Sequence, residues 1–448
     1  MNKNKYRMIS LICLLSLVMS ALCGCGSSKG SGEYKIINPN KSEQEMEEQK
    51  NDNTLTVWCW DPAFNINAME EAAKIYKKTH PDFELVVVET PSDDVQTKLE
   101  TAVLSATTEN LPDIILIQDR AFQKNVINYP DGFVDLTDTG IDFSVFSAGK
   151  VGFSTVNGKN YGIPFDNGAV IACYRSDILA QAGFTVKDFE NITWDEYIEK
   201  GKVVLEKTGK PLLSFQKGGA DPIIMLLQSA GGGFFDEDGT LTITNNDILK
   251  EVMNTYVKLV KEGILLEVND WERYIASINN GEVAGVINGC WIMASIQAEE
   301  EQSGKWEITN MPRLTNVETA TNYANQGGSS WAVTTGCDNV ELAVDFLSST
   351  FGGSVELYEN ILNSGAISCY LPVGESAEYT EKNPFFSNDA VYSKIIDYAG
   401  NIPSCITGVY INEASDAIAL AISNMLEGSD IDTELAKAEN TIKQKMSE

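Results

Sequence analysis

Residues 54–120 read TLTVWCWDPAFNINAMEEAAKIYKKTHPDFELVVVETPSDDVQTKLETAVLSATTENLPDIILIQDR, and the fold is decided by the hydrophobic periods inside them. Leu55–Trp60 is a short β-rich run, and Asn65–Thr79 then places Ile66, Met69, Ala73 and Tyr76 at helical spacing. Phe83–Glu89 is almost wholly apolar, the mark of a strand covered on both faces. Asp93–Ser105 carries Val95, Leu99, Ala102 and Val103 on one helical stripe, and Asp113–Gln118 (DIILIQ) is a third buried strand. Strand, helix, strand, helix, strand is a parallel βαβαβ unit. Its crossovers are right-handed, and its ligand crevice lies outside the carboxyl ends of the strands. Those ends carry Trp60-Asp61, Glu89 and Gln118-Asp119-Arg120. Strict alternation puts Trp58 and Trp60 on one face.

Downstream the pattern is again α/β. Thr193-Trp194-Asp195-Glu196 has capping-box spacing for a helix to about Lys207. A strand at Leu212–Phe215, a helix over Pro222–Ala230 and a turn at Asp236–Gly239 follow. Helices are expected over Asn246–Glu262 and Trp271–Asn280, and strands at Val283–Asn288, near Ile308 and at Ser330–Val333. The helices Val340–Thr350, Ala414–Met425 and Thr433–Lys445 complete the chain. No fixed-period repeat runs through it, and an eightfold strand–helix alternation does not fit, which argues against a TIM barrel.

At 448 residues the chain is long enough for two or three domain-sized units, and 43% hydrophobic residues supply a core. Lys+Arg 33 against Asp+Glu 64 leaves a net charge of −31, a field that repels nucleic-acid backbones. With the single histidine His80, a His-based triad, metal site or proton relay has almost no material. No cofactor or metal is expected. The absence of a GxxxxGK[ST] run leaves no nucleotide loop on this chain.

Residues 1–24 have a basic start (Lys3, Lys5, Arg7), an apolar run Ile9–Ser20 and a small-residue end, the plan of a secretory signal. Leu22-Cys23-Gly24-Cys25 resembles a bacterial lipobox, which implies that Cys25 is acylated and becomes the mature N-terminus. A plain secreted protein cut nearby is the alternative. Residues 25–53 are polar and aperiodic and read as a flexible tether, so the membrane is reached by the lipid alone. The remaining cysteines, Cys59, Cys173, Cys290, Cys337, Cys369 and Cys405, match no zinc spacing. Disulfides stay possible, but most of these residues lie in apolar runs that favour buried free thiols.

The motifs LTVWCWDPAFN, LPDIILIQDR, FVDLTD, NGKNYGIPFDNGAVIACYRSDIL, TWDEY, NNGEVAGVINGCW, NQGGSSWAV and NVELAVDFLSSTFGG occur in this order behind the lipobox. Together they resemble the extracellular solute-binding proteins of bacterial carbohydrate ABC importers, the group that holds maltose- and lactose/arabinose-type receptors. The resemblance implies an α/β fold, a two-lobe periplasmic-binding-protein-like (type II) clamp with hinge crossings and a helical C-terminus. It places one lobe at 54–167 plus 316–368 and the other at 168–315 plus 369–448, with crossings near Asn167, Leu314 and Cys369. It also implies a lipid-anchored monomer on the extracytoplasmic face. That monomer would hand a mono- or oligosaccharide to two permease subunits driven by a cytoplasmic ATPase.

A sugar offers an apolar ring face and a rim of hydroxyls, so its site needs aromatic planes together with carboxylates, amides or Arg. The candidates are Trp60, Asp61, Gln118, Asp119, Arg120, Asp166, Trp271, Trp291, Gly328, Ser329 and Tyr410. The resemblance gives the loop after the first strand, the polar end of the third and an aromatic at Trp291 to the ligand. Each has a structural alternative. Trp60 fits a core aromatic, Asp119 a helix cap beside a solvated Arg120, Asp166 a hinge pairing, and Gly328-Ser329 a tight turn into a strand in which Trp331 is core. Lys217-Gly218-Gly219 and Glu89 are weaker candidates. No catalytic residue is designated. The rivals are a lipid-anchored glycoside hydrolase, which needs a carboxylate pair that no motif marks, and the same fold binding a peptide, polyamine or other non-sugar solute. Asp61, Asp119 and Asp166 against Arg120 alone disfavour an anionic cargo, and the tryptophans favour a ring.

Overall fold

The computed structural model describes residues 35–37, 52–236, 238–362, 365–404 and 408–447. The signal segment, Cys25 and Cys405 lie outside these residues, as does most of the segment read as a tether. Within that segment, however, Lys35–Ile37 form a strand, β1, paired in parallel with Val86–Val88. Three residues are too few to show a period, which is why the composition of the segment hides it.

β2 (Thr54–Cys59), β3 (Glu84–Glu89) and β4 (Ile114–Gln118) are the three parallel strands expected, alternating with α1 (Asn67–Lys77) and α2 (Ser92–Leu104). After α3 (Asp119–Asn128), α4 (Ala148–Phe153) and a hairpin of β5 (Thr155–Val156) and β6 (Lys159–Asn160) comes β7 (Ile163–Asp166). With β13 (Ser329–Val333), which runs antiparallel to both β4 and β7, these strands form a six-stranded sheet in the order β1-β3-β2-β4-β13-β7.

Both faces are covered, as the unbroken apolar runs require. Leu55, Val57 and Cys59 belong to the cluster that holds Ala68, Met69 and Tyr76 of α1. Trp58, Val86, Val88, Ile115 and Ile117 pack with Val95 and Leu99 of α2 and Phe122 of α3. Trp60 departs from the expected alternation. The strand ends at Cys59, and Trp60 packs on the Leu55–Val57–Cys59 face, opposite Trp58. The cause is local. The Asn65 side-chain oxygen accepts the Trp60 and Asp61 backbone N–H groups at 3.0 Å each, and Pro62–Ile66 form a π turn that overlaps the helix expected from Asn65 by two residues.

The second lobe is built on β8 (Val170–Arg175), flanked antiparallel by β11 and β12 below, and on a parallel pair of β9 (Leu213–Gln216) and β10 (Leu265–Val268). β11 is Gly285–Gly289 and β12 is Trp306–Thr309. Its helices include α5 (Trp194–Thr208), α6 (Asp221–Ser229), α7 (Asp247–Lys261) and α8 (Trp271–Asn279). α5 opens on the predicted capping box, with Thr193 and Glu196 satisfying each other's backbone N–H, and stops at Gly209 in the left-handed conformation. α9 (Val340–Thr350) returns to the first lobe, and α10 (Ile411–Leu426) and α11 (Ile431–Lys445) close the chain against α7.

The chain passes between the two sheets over 167–169 and again over 310–328. At the first passage Asn167 donates its backbone N–H to Ile367 and its side-chain amide to Ser368, so a third segment runs alongside. Cys59, Cys173, Cys290, Cys337 and Cys369 are buried free thiols.

Candidate functional site

β4 ends at Gln118, which is exposed, and the next two side chains turn in opposite directions. Asp119 goes inward. It is 1% exposed, and its Oδ2 accepts from Lys150 Nζ at 2.6 Å, Lys150 itself being 6% exposed. Lys150 Nζ also donates to the Ser329 carbonyl at 3.0 Å. Burial pushes the Asp119 carboxyl up to about 6 against the opposing pull of Lys150. Burial alone would lower the Lys150 ammonium, but Asp119, Cys369 and Asp166 outweigh it and hold it up. Each partner thus favours the charged form of the other. Neither sequence reading of Asp119 describes this. The Lys150 ion pair engages the carboxylate, and Gln118, not Asp119, occupies the helix cap position.

Gly328 explains the closeness of the packing. Its φ is +95°, and a Cβ there would stand 2.6 Å from Asp119 Oδ2 and 2.8 Å from Lys150 Nζ. Beside it, Ser329 Oγ donates to Asp166 Oδ1, both residues being buried, and Asp166 faces Ser368 across a bridge. Asp166, Gly328 and Ser329 thus sit together with Asp119 and Lys150 at the junction of β7, β13 and the passage to the second lobe.

Arg120 goes outward. Its Nη2 reaches Asp221 Oδ1 at 2.9 Å, at the start of α6 in the other lobe, and also hydrogen-bonds the Gln326 side chain. It is not the solvated arginine of the alternative reading. One turn along α3, Lys124 lies 3.7 Å from Glu413 of α10, so one helix face carries two ion pairs across the cleft. Next to this bridge Trp291 donates its indole N–H to the Gln326 carbonyl at 2.8 Å, and its ring lies 5.8 Å from that of Trp271. Trp271 is 45% exposed and also touches Tyr274, with ring centroids 5.3 Å apart.

Two cavities flank the bridge. The larger is walled by Arg120 and Phe153 of the first lobe, by Ile224, Leu227, Gln228 and Phe234 of the second, and by Asn325 and Gly327 between them. The smaller lies within the second lobe under Trp271 and Tyr274, with Gln216, Asp221 and Asn288 as its polar groups. Gly219 of the weak Lys217-Gly218-Gly219 candidate is on its wall. Trp60, Asp61, Gln118, Trp291 and Tyr410 are on the walls of neither, although Tyr410 is half-buried next to Ile411, which lines the larger. Asp61 is exposed and accepts the Phe64 N–H at 3.2 Å.

Sequence reasoning missed Lys150, Asp221, Gln228 and Gln326. For α6 a signal existed: Asp221, Ile224 and Gln228 recur at i, i+3 and i+7, a polar-edged stripe in an otherwise apolar helix. No group of three potential metal-ligating His, Cys, Asp or Glu side chains occurs among the described residues, and no helix among them is long and apolar enough to cross a membrane.

Comparison with known proteins places this geometry. A family model described as bacterial extracellular solute-binding protein matches residues 71–384. A lactose-binding protein of Rhizobium radiobacter is 36% identical over 387 residues, 86% of this chain and 91% of the relative. An arabinooligosaccharide-binding protein of Bacillus subtilis (strain 168) is 24% identical over 92% of both chains. Among solved structures, the sugar-binding protein MalE of Xanthomonas citri superposes with a TM-score of 0.74 at 14% identity, over 88% of this chain and 98% of the other. The superposition shows a shared fold, and the chain belongs to the family of bacterial extracellular solute-binding proteins.

Proposed function

We propose that this protein is the carbohydrate receptor of an ABC importer and holds a mono- or oligosaccharide between its lobes. The observation that carries the reading is the pairing of Trp271 and Trp291 near the Arg120–Asp221 bridge, with Trp271 on the wall of the smaller cavity and Arg120 on that of the larger. Aromatic planes suit a ring face, and a guanidinium, a carboxylate and amides suit neighbouring hydroxyls. The 36% identical relative that binds lactose, and those that bind arabinooligosaccharides, support the cargo class.

In this reading the lobes are 54–167 plus 316–368 and 168–315 plus 369–448, hinged at the passages near Asn167, Leu314 and Cys369. Ligand contacts present only in the closed form shift the open–closed balance toward closure. The closed monomer delivers its cargo to two permease subunits and their cytoplasmic ATPase, tethered through acylated Cys25 on the extracytoplasmic face. The role is binding and delivery, without chemistry on the sugar.

Trp291 and Trp271 are the proposed stacking planes, with Arg120 and Asp221 as hydroxyl partners. Asp119 and Asp166 act as frame residues behind Gly328 and Ser329. Thermal melting of the purified chain against lactose, arabinooligosaccharides, amino acids and polyamines tests the cargo class. A hundredfold excess over Kd adds about 2.7 kcal/mol to the native state. A midpoint raised only by a polyamine or peptide would keep the clamp and reject the sugar.

A further inference from the structure

Gln228 lies on the cleft face of α6, two turns after Asp221, and is 2% exposed. Its Oε1 accepts the Asn325 backbone N–H at 2.6 Å. Since an N–H needs an oxygen acceptor, this contact fixes which end of the amide is which. The other end, Nε2, has no hydrogen-bond partner among the described residues. Gln228 lines the larger cavity, where most of its companions, Phe153, Ile224, Leu227, Phe234 and Ile411, are apolar. Of the other polar groups there, Arg120 is committed to Asp221 and Gln326, and the Asn325 amide donates to the Gly327 carbonyl at 2.6 Å. A buried amide donor held in one orientation with nothing to donate to is a cost to the fold unless a ligand uses it.

We infer that Gln228 is a specificity-determining residue of the sugar site, donating Nε2–H to an acceptor oxygen of the ligand whose carbon skeleton lies against Ile224, Leu227 and Phe234. The inference rests on the carbohydrate reading above and deepens it. A sugar oxygen able to accept this N–H is a ring or glycosidic ether oxygen, a hydroxyl, or the carbonyl of an acetamido group with its methyl beside it. A ligand without an acceptor at this place leaves the amide buried and unpaired, and binds roughly tenfold to hundredfold more weakly.

The test is calorimetric titration of the full chain and of Gln228→Glu with lactose and with N-acetyllactosamine. Glu keeps the oxygen that accepts the Asn325 N–H and removes the donor. A merely structural Gln228 is thereby preserved, whereas a ligand-contacting one is lost. The expected result is a tenfold or greater loss of affinity for the sugar the wild type prefers. Preference for N-acetyllactosamine assigns the acetamido carbonyl, and equal or better lactose binding assigns an ether or hydroxyl oxygen. If Gln228→Glu does not fold, the neutral Gln228→Met is titrated instead; because Met also removes the acceptor of the Asn325 N–H, the same loss supports the inference only with the ligand-free melting midpoint close to wild type, and a loss that follows a lowered midpoint counts against it. Wild-type binding of a sugar with variant affinity within twofold overturns this inference alone; wild-type binding of neither sugar overturns it together with the carbohydrate reading.

Discussion

Asp119 and Arg120 are chain neighbours at the end of one strand, each in an ion pair, and the two pairs have opposite settings. Asp119–Lys150 is sealed within the first lobe, with side chains 1% and 6% exposed. Arg120–Asp221 spans the lobes with side chains 33% and 44% exposed. Desolvation separates their roles. A buried pair contributes little relative to an apolar pair of the same shape, yet breaking it strands a charge in a poor solvent. A half-exposed pair forms and breaks at little cost and is screened by salt. The first suits a fixed frame, and the second suits an interface that must open.

The largest effect expected from this contrast is on the buried side. Lys150→Met removes the cation that favours the charged form of Asp119, so the buried carboxyl must take up a proton or stand as an unpaired charge, and the change should cost about 3–5 kcal/mol of folding stability in urea melts. A loss under about 1 kcal/mol would mean that the Asp119 carboxylate is solvated. Gly328→Ala should follow with a loss of about 1–3 kcal/mol, from its positive φ and from the contact its Cβ would make with Asp119. A neutral outcome there would show that the Asp119–Lys150 packing relaxes freely. On the exposed side, a double-mutant cycle of Arg120→Ala and Asp221→Ala should give a coupling of no more than about 1 kcal/mol in ligand-free stability, shrinking with added salt. A coupling several times larger and insensitive to salt would erase the distinction between the pairs.

The same contrast marks how far the sequence could be read. The βαβαβ unit, the capped helix at Trp194 and the strand containing Trp331 follow from periods and local chemistry, and the structure has them within a residue or two. That the site lies at the strand ends also follows, because topology places it there. What each end residue does there did not follow. Asp119 and Arg120 look equivalent in sequence, and Lys150, 31 residues away, decides which is engaged. Asp221 is 101 residues from Arg120, and Gln326 is 206 residues away. No periodicity carries partners at such distances. Trp60 failed for a nearer reason, since Asn65 reshapes the strand exit after Cys59. Trp271 and Trp291 were legible as aromatics, but their approach to each other depends on how α8 and β11 pack.

The most direct test of the receptor reading is a calorimetric titration of lactose into the wild-type chain and into Trp291→Ala, side by side. The account predicts saturable one-to-one binding to the wild type. In the variant, with its stacking plane removed, affinity should fall about tenfold or more while the ligand-free melting curve stays close to wild type. Equal affinity in both proteins would place the ligand away from Trp291 and contradict the proposed site; heat from a polyamine or peptide control but from no sugar in the panel would contradict the assignment as a carbohydrate receptor.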